Sequence, residues 1–364
     1  MKRYVGIGVA LIGVVAVGLS FWVWRQGGQR DLPNVVLISV DTVRADHLGC
    51  YGYFRPVSPA IDKFASGAVR FENAFTQASW TLPSHMTVMT SQYPSVHCVI
   101  DRGLSLPDQA TMLAEVLSEE GYHTAAFVTW IYVGEAFGFD QGFDEFHELI
   151  DRSGQRVLSG RGAFSAERTT DAVIARLEET LPQPFFLFVH YFDPHMHYTP
   201  PPPYDTLFDP DYTGEACGER GWLQPYIKTL QIDPAVIDPR DRAHVEALYD
   251  GELCYTDAHL GRLFEAIDTQ VELDSCMVVF MSDHGEEFND HGSMEGHGWT
   301  LYDEIIHVPL IFRMPGPGRP GTVIEDLVGL IDIGPTILQA LGVAAPASFQ
   351  GRSLTGLIDG SAAA

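Results

Sequence analysis

The sequence is poor in positive charge. Lys and Arg together number 22 against 48 Asp and Glu, for a formal net charge of −26. Such a surface repels a phosphate backbone, which excludes nucleic acid as a partner, while it suits solubility and the capture of divalent cations. The chain also lacks any CxxC pair. Its cysteines, Cys50, Cys98, Cys217, Cys254 and Cys276, are widely scattered, and that excludes a cysteine-built zinc site. In an exported protein one or two disulfides are compatible with them, with at least one thiol left over. No internal repeat is present. Charged residues make up 19% and hydrophobic ones 46%, the composition of a folded chain and not a disordered one. The 364 residues suffice for one large α/β domain or two smaller ones.

Near the N-terminus charge is missing altogether. After Lys2 and Arg3, the run Tyr4 to Trp24 has neither charge nor proline and is long enough to cross a bilayer core of roughly 30 Å. No A-x-A-like cleavage site follows it, and Trp22 and Trp24 suit a membrane interface. Residues 1–25 are therefore expected to be an uncleaved anchor in the inner or plasma membrane, in preference to a removed signal peptide. The catalytic part is then exported, to the periplasm or the cell exterior. "QGGQRDLP" (26–33) reads as a linker and 34–360 as one domain.

In that domain, "NVVLISVD" (Asn34 to Asp41), "FFLFVHYFD" (Phe185 to Asp193) and "CMVVFMSDH" (Cys276 to His284) are continuous apolar runs ending in polar ligands. Runs of this kind suit parallel strands buried on both faces. "HTAAFVT" (123–129) and "VPLIF" (308–312) predict further strands, and 111–121, 167–181 and 242–267 predict helices between them. The alternation predicts an α/β fold with a large, mostly parallel mixed sheet sandwiched by helices. The proline-rich stretch from Pro200 to about Pro239 predicts a surface excursion.

Ligands in open α/β sheets bind beyond the carboxyl ends of the strands. Asp41, Asp193, Asp283 and His284 all fall there. Asp41, Asp283 and His284 form a candidate divalent-cation site (Ca, Mg, Mn or Zn) of two carboxylates and one imidazole. "SWTLPSHMTVMTSQYPSVH" (79–97) opens a helix near it. Thr81 or Ser84 can be read there as a helix cap, or Thr81 as a nucleophile activated by the cation. Histidines are dense around this set: His85, His97, His195, His197, His291 and His297. A buried histidine is more often a satisfied core residue than a catalyst, but His195 lies just past a strand end and His297 in a glycine-rich loop, where they could orient ester oxygens or protonate a leaving group. Asp193 and His197 form a D-x-x-x-H pair that, with His297, is compatible with a second metal site, although the D-P-H pattern is read more simply as presenting His195 to substrate.

"NVVLISVDTVRADHLGCYGY", "SPAIDKFASGAVRFENAFTQASWTLPSHMTVMTSQYPSVH", "FFLFVHYFDPHMHYTPPPPY", "MSDHGEEFNDHG", "GHGWTLYDEIIHVPLIF" and "IDIGPTILQALG" resemble, in order, the sulfatases of the alkaline phosphatase superfamily. The resemblance implies an ester hydrolase with Asp41, Asp283 and His284 as metal ligands and an anionic ester as substrate. It implies Thr81 at the nucleophile position of the C/S-x-P-S-R motif, His85 in place of the motif arginine, His195 as a substrate-oxygen histidine and His297 near an anion-binding lysine position. Three departures follow. Threonine cannot be converted to formylglycine, His85 removes a permanent cation, and Thr42 replaces a second aspartate. The expectation is a metal-dependent hydrolase of sulfate, phosphate or phosphonate esters with catalytic Thr81, His85, His195 and His297. The alternatives are a membrane-anchored phosphoryl-group transferase to a lipid or glycan acceptor and a non-catalytic sulfatase-like protein.

Overall fold

Sequence runs that are apolar at every position need cover on both faces, and they occupy the centre of the sheet. The computed structural model describes residues 32–150, 166–227, 235–271, 273–294, 297–316 and 318–361. Its strands are β1 (Asn34–Val40), β2 (Val69–Phe75), β3 (His123–Val128), β4 (Glu145–Glu148), β5 (Phe185–Tyr191), β6 (Cys276–Ser282), β7 (Leu310–Arg313) and β8 (Thr322–Gly329). They form one 8-stranded sheet in the order β4-β3-β5-β1-β6-β7-β2-β8. β7 runs antiparallel to both of its neighbours, β6 and β2, and the other pairings are parallel. The expected mostly parallel mixed sheet is present. Residues 1–25, expected to be an anchor, lie outside the described residues. Among the described residues no helix is long and apolar enough to cross a membrane.

The helices that position the site are α1 (Pro59–Ser66), α2 (Thr81–Thr90), α3 (Leu113–Glu119), α4 (Ala166–Glu178), α5 (Pro239–Val271) and α6 (Ile333–Ala340). In a strand, alternate residues face opposite sides. Val36, Ile38 and Val40 of β1 share one core with Leu253, Leu260, Leu263 and Ile267 of α5. These α5 positions recur at helical spacing, which buries a continuous stripe of the helix. Ser39, on the other side of β1, meets His85 of α2 through a 2.8 Å hydrogen bond. Helices thus cover both faces. α1 has no cap from its own Ser58; instead Asp257 of α5 accepts the Ala60 and Ile61 N–H groups, each at 2.8 Å. All five cysteines are unpaired.

Candidate active site

The site begins with register. β1 pairs with β5 on one side and β6 on the other, with Val40 level with Tyr191 and with Ser282. The three strands therefore end in line, and the next residues of β1 and β6, Asp41 and Asp283, emerge side by side. Both are fully buried, as is His284. Asp41, Asp283 and His284 offer ligand atoms lying within 4.8 Å of one another. His284 Nε2 is 3.4 Å from both Asp41 Oδ1 and Asp283 Oδ2.

Hydrogen bonding fixes the orientation of that imidazole. His284 Nδ1 lies 2.9 Å from the Gly285 carbonyl, an acceptor, so the proton belongs on Nδ1 and the Nε2 lone pair faces the carboxylates. A lone pair aimed at two acidic oxygens is unfavourable unless a cation lies between them. Asp41 Oδ1 and Asp283 Oδ2 are also buried without any hydrogen-bond partner, a costly state for ionised oxygens. Burial, followed by Asp41, pushes the Asp283 carboxyl up. The residues present therefore fit a divalent cation.

Thr81 is drawn into this cluster. It is the first residue of α2, whose N-cap is Trp80, and all ten α2 residues are buried. Thr81 Oγ1 lies 3.5 Å from Asp41 Oδ2 and 3.4 Å from His284 Nε2. The helix-cap reading of Thr81 and Ser84 fails, because neither side chain turns back on its own helix start. Ser84 Oγ donates to the Asp283 carbonyl at 2.7 Å and lies 2.8 Å from Thr76 Oγ1, locking α2 to the end of β6. On the other side of the cluster Thr42 takes a left-handed φ of 56°, which costs a β-branched residue conformational energy.

The histidines divide. His85 is fully buried behind Thr81. Its Nδ1 donates to the Thr81 carbonyl at 2.9 Å and its Nε2 accepts from Ser39 Oγ at 2.8 Å. Both ring nitrogens are thereby satisfied in a neutral ring, and burial pulls the pKa down to about 4. His85 thus holds the Thr81 turn, and its Nδ1 also lies 3.4 Å from Asp283 Oδ2. His195 and His297 stand together beside the cluster, with ring centres 5.0 Å apart and His297 4.8 Å from His284. Burial lowers His195 to about 4. His297 Nδ1 is 2.9 Å from Glu286 Oε1. Burial opposes ionisation of Glu286, yet His297, His195 and His284 outweigh it and hold the carboxyl down at about 2. Tyr198 donates to the other Glu286 oxygen at 2.9 Å.

The second metal site of Asp193, His197 and His297 is not formed. Asp193 turns to the Ala166 N–H at the start of α4, 2.7 Å away, and His197 Nδ1 accepts from the Arg220 N–H at 2.8 Å. His97 is held between Thr87 Oγ1 and the Val99 N–H, a satisfied core residue. His190 escapes sequence reasoning. It is fully buried, its Nε2 lies 3.8 Å from Asp41 Oδ2, and that nitrogen has no hydrogen-bond partner. The pairing of Ser39 with His190 is what brings it alongside Asp41.

Rings run in an unbroken series from Trp80, next to Thr81, to His195. Trp80 meets Tyr132 at 5.6 Å, Tyr132 meets Trp130 at 5.5 Å, Trp130 meets Phe192 at 4.4 Å, and Phe192 stacks on His195 at 4.5 Å. Beyond His297, Trp299 and Leu301 are 74% and 70% exposed.

The sulfatase family profile matches residues 33–343. N-acetylglucosamine-6-O-sulfatase of Bacteroides thetaiotaomicron is 22% identical, covering 96% of this chain and 75% of the relative. Human iduronate 2-sulfatase is 25% identical, covering 88% of this chain and 71% of the relative. The crystal structure of the phosphonate monoester hydrolase of Agrobacterium radiobacter is similar with a TM-score of 0.73 at 24% identity, covering 90% of this chain and 77% of that one.

Proposed function

The chain belongs to the sulfatase family and is an ester hydrolase; on that premise we propose that it cleaves anionic sulfate, phosphate or phosphonate esters with Thr81 as nucleophile. The observation that carries the reading is the Thr81 hydroxyl at 3.5 Å from Asp41 and 3.4 Å from His284. Asp41, Asp283 and His284 would hold a divalent cation, with His190 beside them. Such an ion, when bound, supplies Lewis acidity to a hydroxyl and to an ester oxygen.

This chain's own residues account for the remaining steps. Asp41 Oδ2 is in place to take the Thr81 proton as Oγ1 forms its bond to phosphorus or sulfur. The bond to the organic ester oxygen breaks, and the departing oxygen is protonated from the side of His297, which is paired with the ionised Glu286, while the neutral His195 orients ester oxygens. Water then cleaves the Thr81 ester, which releases sulfate, phosphate, a phosphate monoester or a phosphonate according to the substrate and restores the hydroxyl. The N-terminus of α2 adds favourable potential for an anion. Because threonine cannot give the formylglycine that sulfatases use, phosphorus esters are the preferred class. The wall of Trp80, Tyr132, Trp130 and Phe192 suits a flat apolar organic group.

The catalytic domain spans 34–360, carried beyond a membrane by the uncharged segment within residues 1–25. The decisive experiment is a panel of 4-nitrophenyl phosphate, phosphodiester, phosphonate and sulfate assayed with magnesium, calcium, manganese and zinc. Turnover of at least one of these esters, dependent on both Thr81 and added metal, is expected. Turnover unaffected by loss of the Thr81 hydroxyl would overturn the nucleophile.

A further inference from the structure

Beyond His284 come Glu286, Glu287 and His291, and later His297 and a short helix, Asp303–Ile306. The Gly285 N–H donates to the Ile305 carbonyl at 2.7 Å, so the two ends of this stretch are tied. At this closure Glu287, His291 and Glu304 each offer a ligand atom within 4.8 Å of the others.

The hydrogen bonding of Glu287 is incomplete. Its Oε1 accepts the His291 and Ser293 N–H groups at 2.9 and 3.0 Å. Its Oε2 is sealed from solvent and has no hydrogen-bond partner, and the residue is only 1% exposed. Glu304 is buried as well, and His291 Nδ1 lies 2.6 Å from its Oε1. The His291 ring stacks on Tyr302 at 3.4 Å, which fixes its plane. Two buried carboxylates thus face each other with at most one imidazolium to balance them, and an orphaned carboxylate oxygen in such a place is strongly disfavoured. Arg44, which packs beside Gly285, does not relieve the pair. Its guanidinium is committed to Asp46, Asp290 and the Glu286 carbonyl.

We propose that Glu287, His291 and Glu304 bind a second divalent cation, separate from the one at Asp41, Asp283 and His284, and that this ion clasps the loop presenting His297. Two carboxylates with one imidazole suit zinc or manganese better than calcium or magnesium, which favour all-oxygen shells. His291, at the solvent edge, gives the ion its route of entry.

The test is metal content per chain of the full-length protein after loading with zinc or manganese chloride and gel filtration. The wild type is expected to hold two ions, His291→Ala and Glu304→Gln one each, and Asp283→Ala one. The melting temperature of Asp283→Ala should still rise on adding zinc, and that rise should vanish in Asp283→Ala/His291→Ala. Equal metal content in wild type, His291→Ala and Glu304→Gln would overturn the proposal, whatever Asp283→Ala does. A single ion lost on His291→Ala and kept in Asp283→Ala would uphold it while refuting the cation at the catalytic cluster. Glu304→Gln keeps the shape of the side chain, so a folding defect confined to His291→Ala leaves the count readable.

Discussion

The Thr81 hydroxyl lies 3.4 Å from Nε2 of His284, two groups 203 residues apart in the chain. Two independent devices produce that meeting. Alignment of β1 with β6 brings Asp283 and His284 level with Asp41, and the Ser84 hydroxyl, bonded to the Asp283 carbonyl at 2.7 Å, docks the first turn of α2 onto the same strand end. Removing the Thr81 oxygen should therefore abolish chemistry without disturbing the ligands. For Thr81→Ala we expect kcat/KM to fall by at least about 10³-fold with unchanged metal content at the catalytic cluster, and Thr81→Ser to retain a measurable fraction. Steady-state kinetics with parallel metal analysis decide it. Wild-type activity in Thr81→Ala removes the nucleophile.

Removing the cation should have a structural cost as well as a catalytic one. Without it, Asp41 Oδ1, Asp283 Oδ2 and His190 Nε2 are left buried and unpartnered. Stripping with a chelator should abolish turnover and lower the melting temperature, and both should return on adding metal. Asp283→Asn should weaken the response of activity to metal by about 10-fold or more, on the order expected for a lost ligand. A protein as active and as heat-stable after exhaustive chelation as before it would contradict this account.

These groups were unequally legible in the sequence. Asp41, Asp283 and His284 stand at the ends of apolar runs, so the sequence places them at the strand-end edge of the sheet, while the pairing of β1 with β6 brings them side by side. Asp193 has the same sequence context yet turns away, because its carboxylate satisfies the Ala166 N–H at the start of α4. His190 sits inside an apolar run, and only the register between β1 and β5 reveals that it shares a face with Ser39 and lies near Asp41. β2 and β8 carry mixed polar and apolar residues with interrupted burial, and β4 has only four residues, so none has the unbroken apolar signature of the central strands. Glu287, His291 and Glu304 come together by loop closure, which no periodicity announces.

The aromatic wall predicts a split between binding and chemistry. Trp130 lies between Tyr132 and Phe192, and Phe192 stacks on His195. The Trp130 ring belongs to this wall and not to the ligand cluster, so it should act on the organic part of the ester. Trp130→Ala is expected to raise KM for an aryl ester several-fold while changing kcat less than about threefold, and to change KM little for the methyl ester of the same acid. The basis is the loss of roughly 1 kcal/mol of stacking. An equal change for aryl and methyl esters would assign Trp130 to the fold and not to the substrate.

The last prediction concerns the far edge of the sheet. Glu145 of β4 receives two hydrogen bonds from Arg176 of α4, at 2.8 and 2.7 Å, and sits 2.7 Å from His123 Nε2. The Arg176 contact, helped by His123 and His147 against the opposing effect of burial, lowers the Glu145 carboxyl to about 2. In the unfolded chain it titrates near about 4.3, the ordinary value for glutamate. A carboxyl whose pKa is lower in the folded state contributes stability that is fully present above about pH 4.3 and is lost as pH falls through about 2. The pair is partly exposed, so screening by solvent limits the contribution to about 1 kcal/mol, smaller in high salt. The measurement is the difference in urea unfolding free energy between the wild type and Glu145→Gln across that acid range. It should be largest near neutrality and shrink toward zero as the pH approaches about 2. A difference that stays constant over the titration would mean that Glu145 anchors β4 by shape and hydrogen bonding alone, with no contribution from its charge.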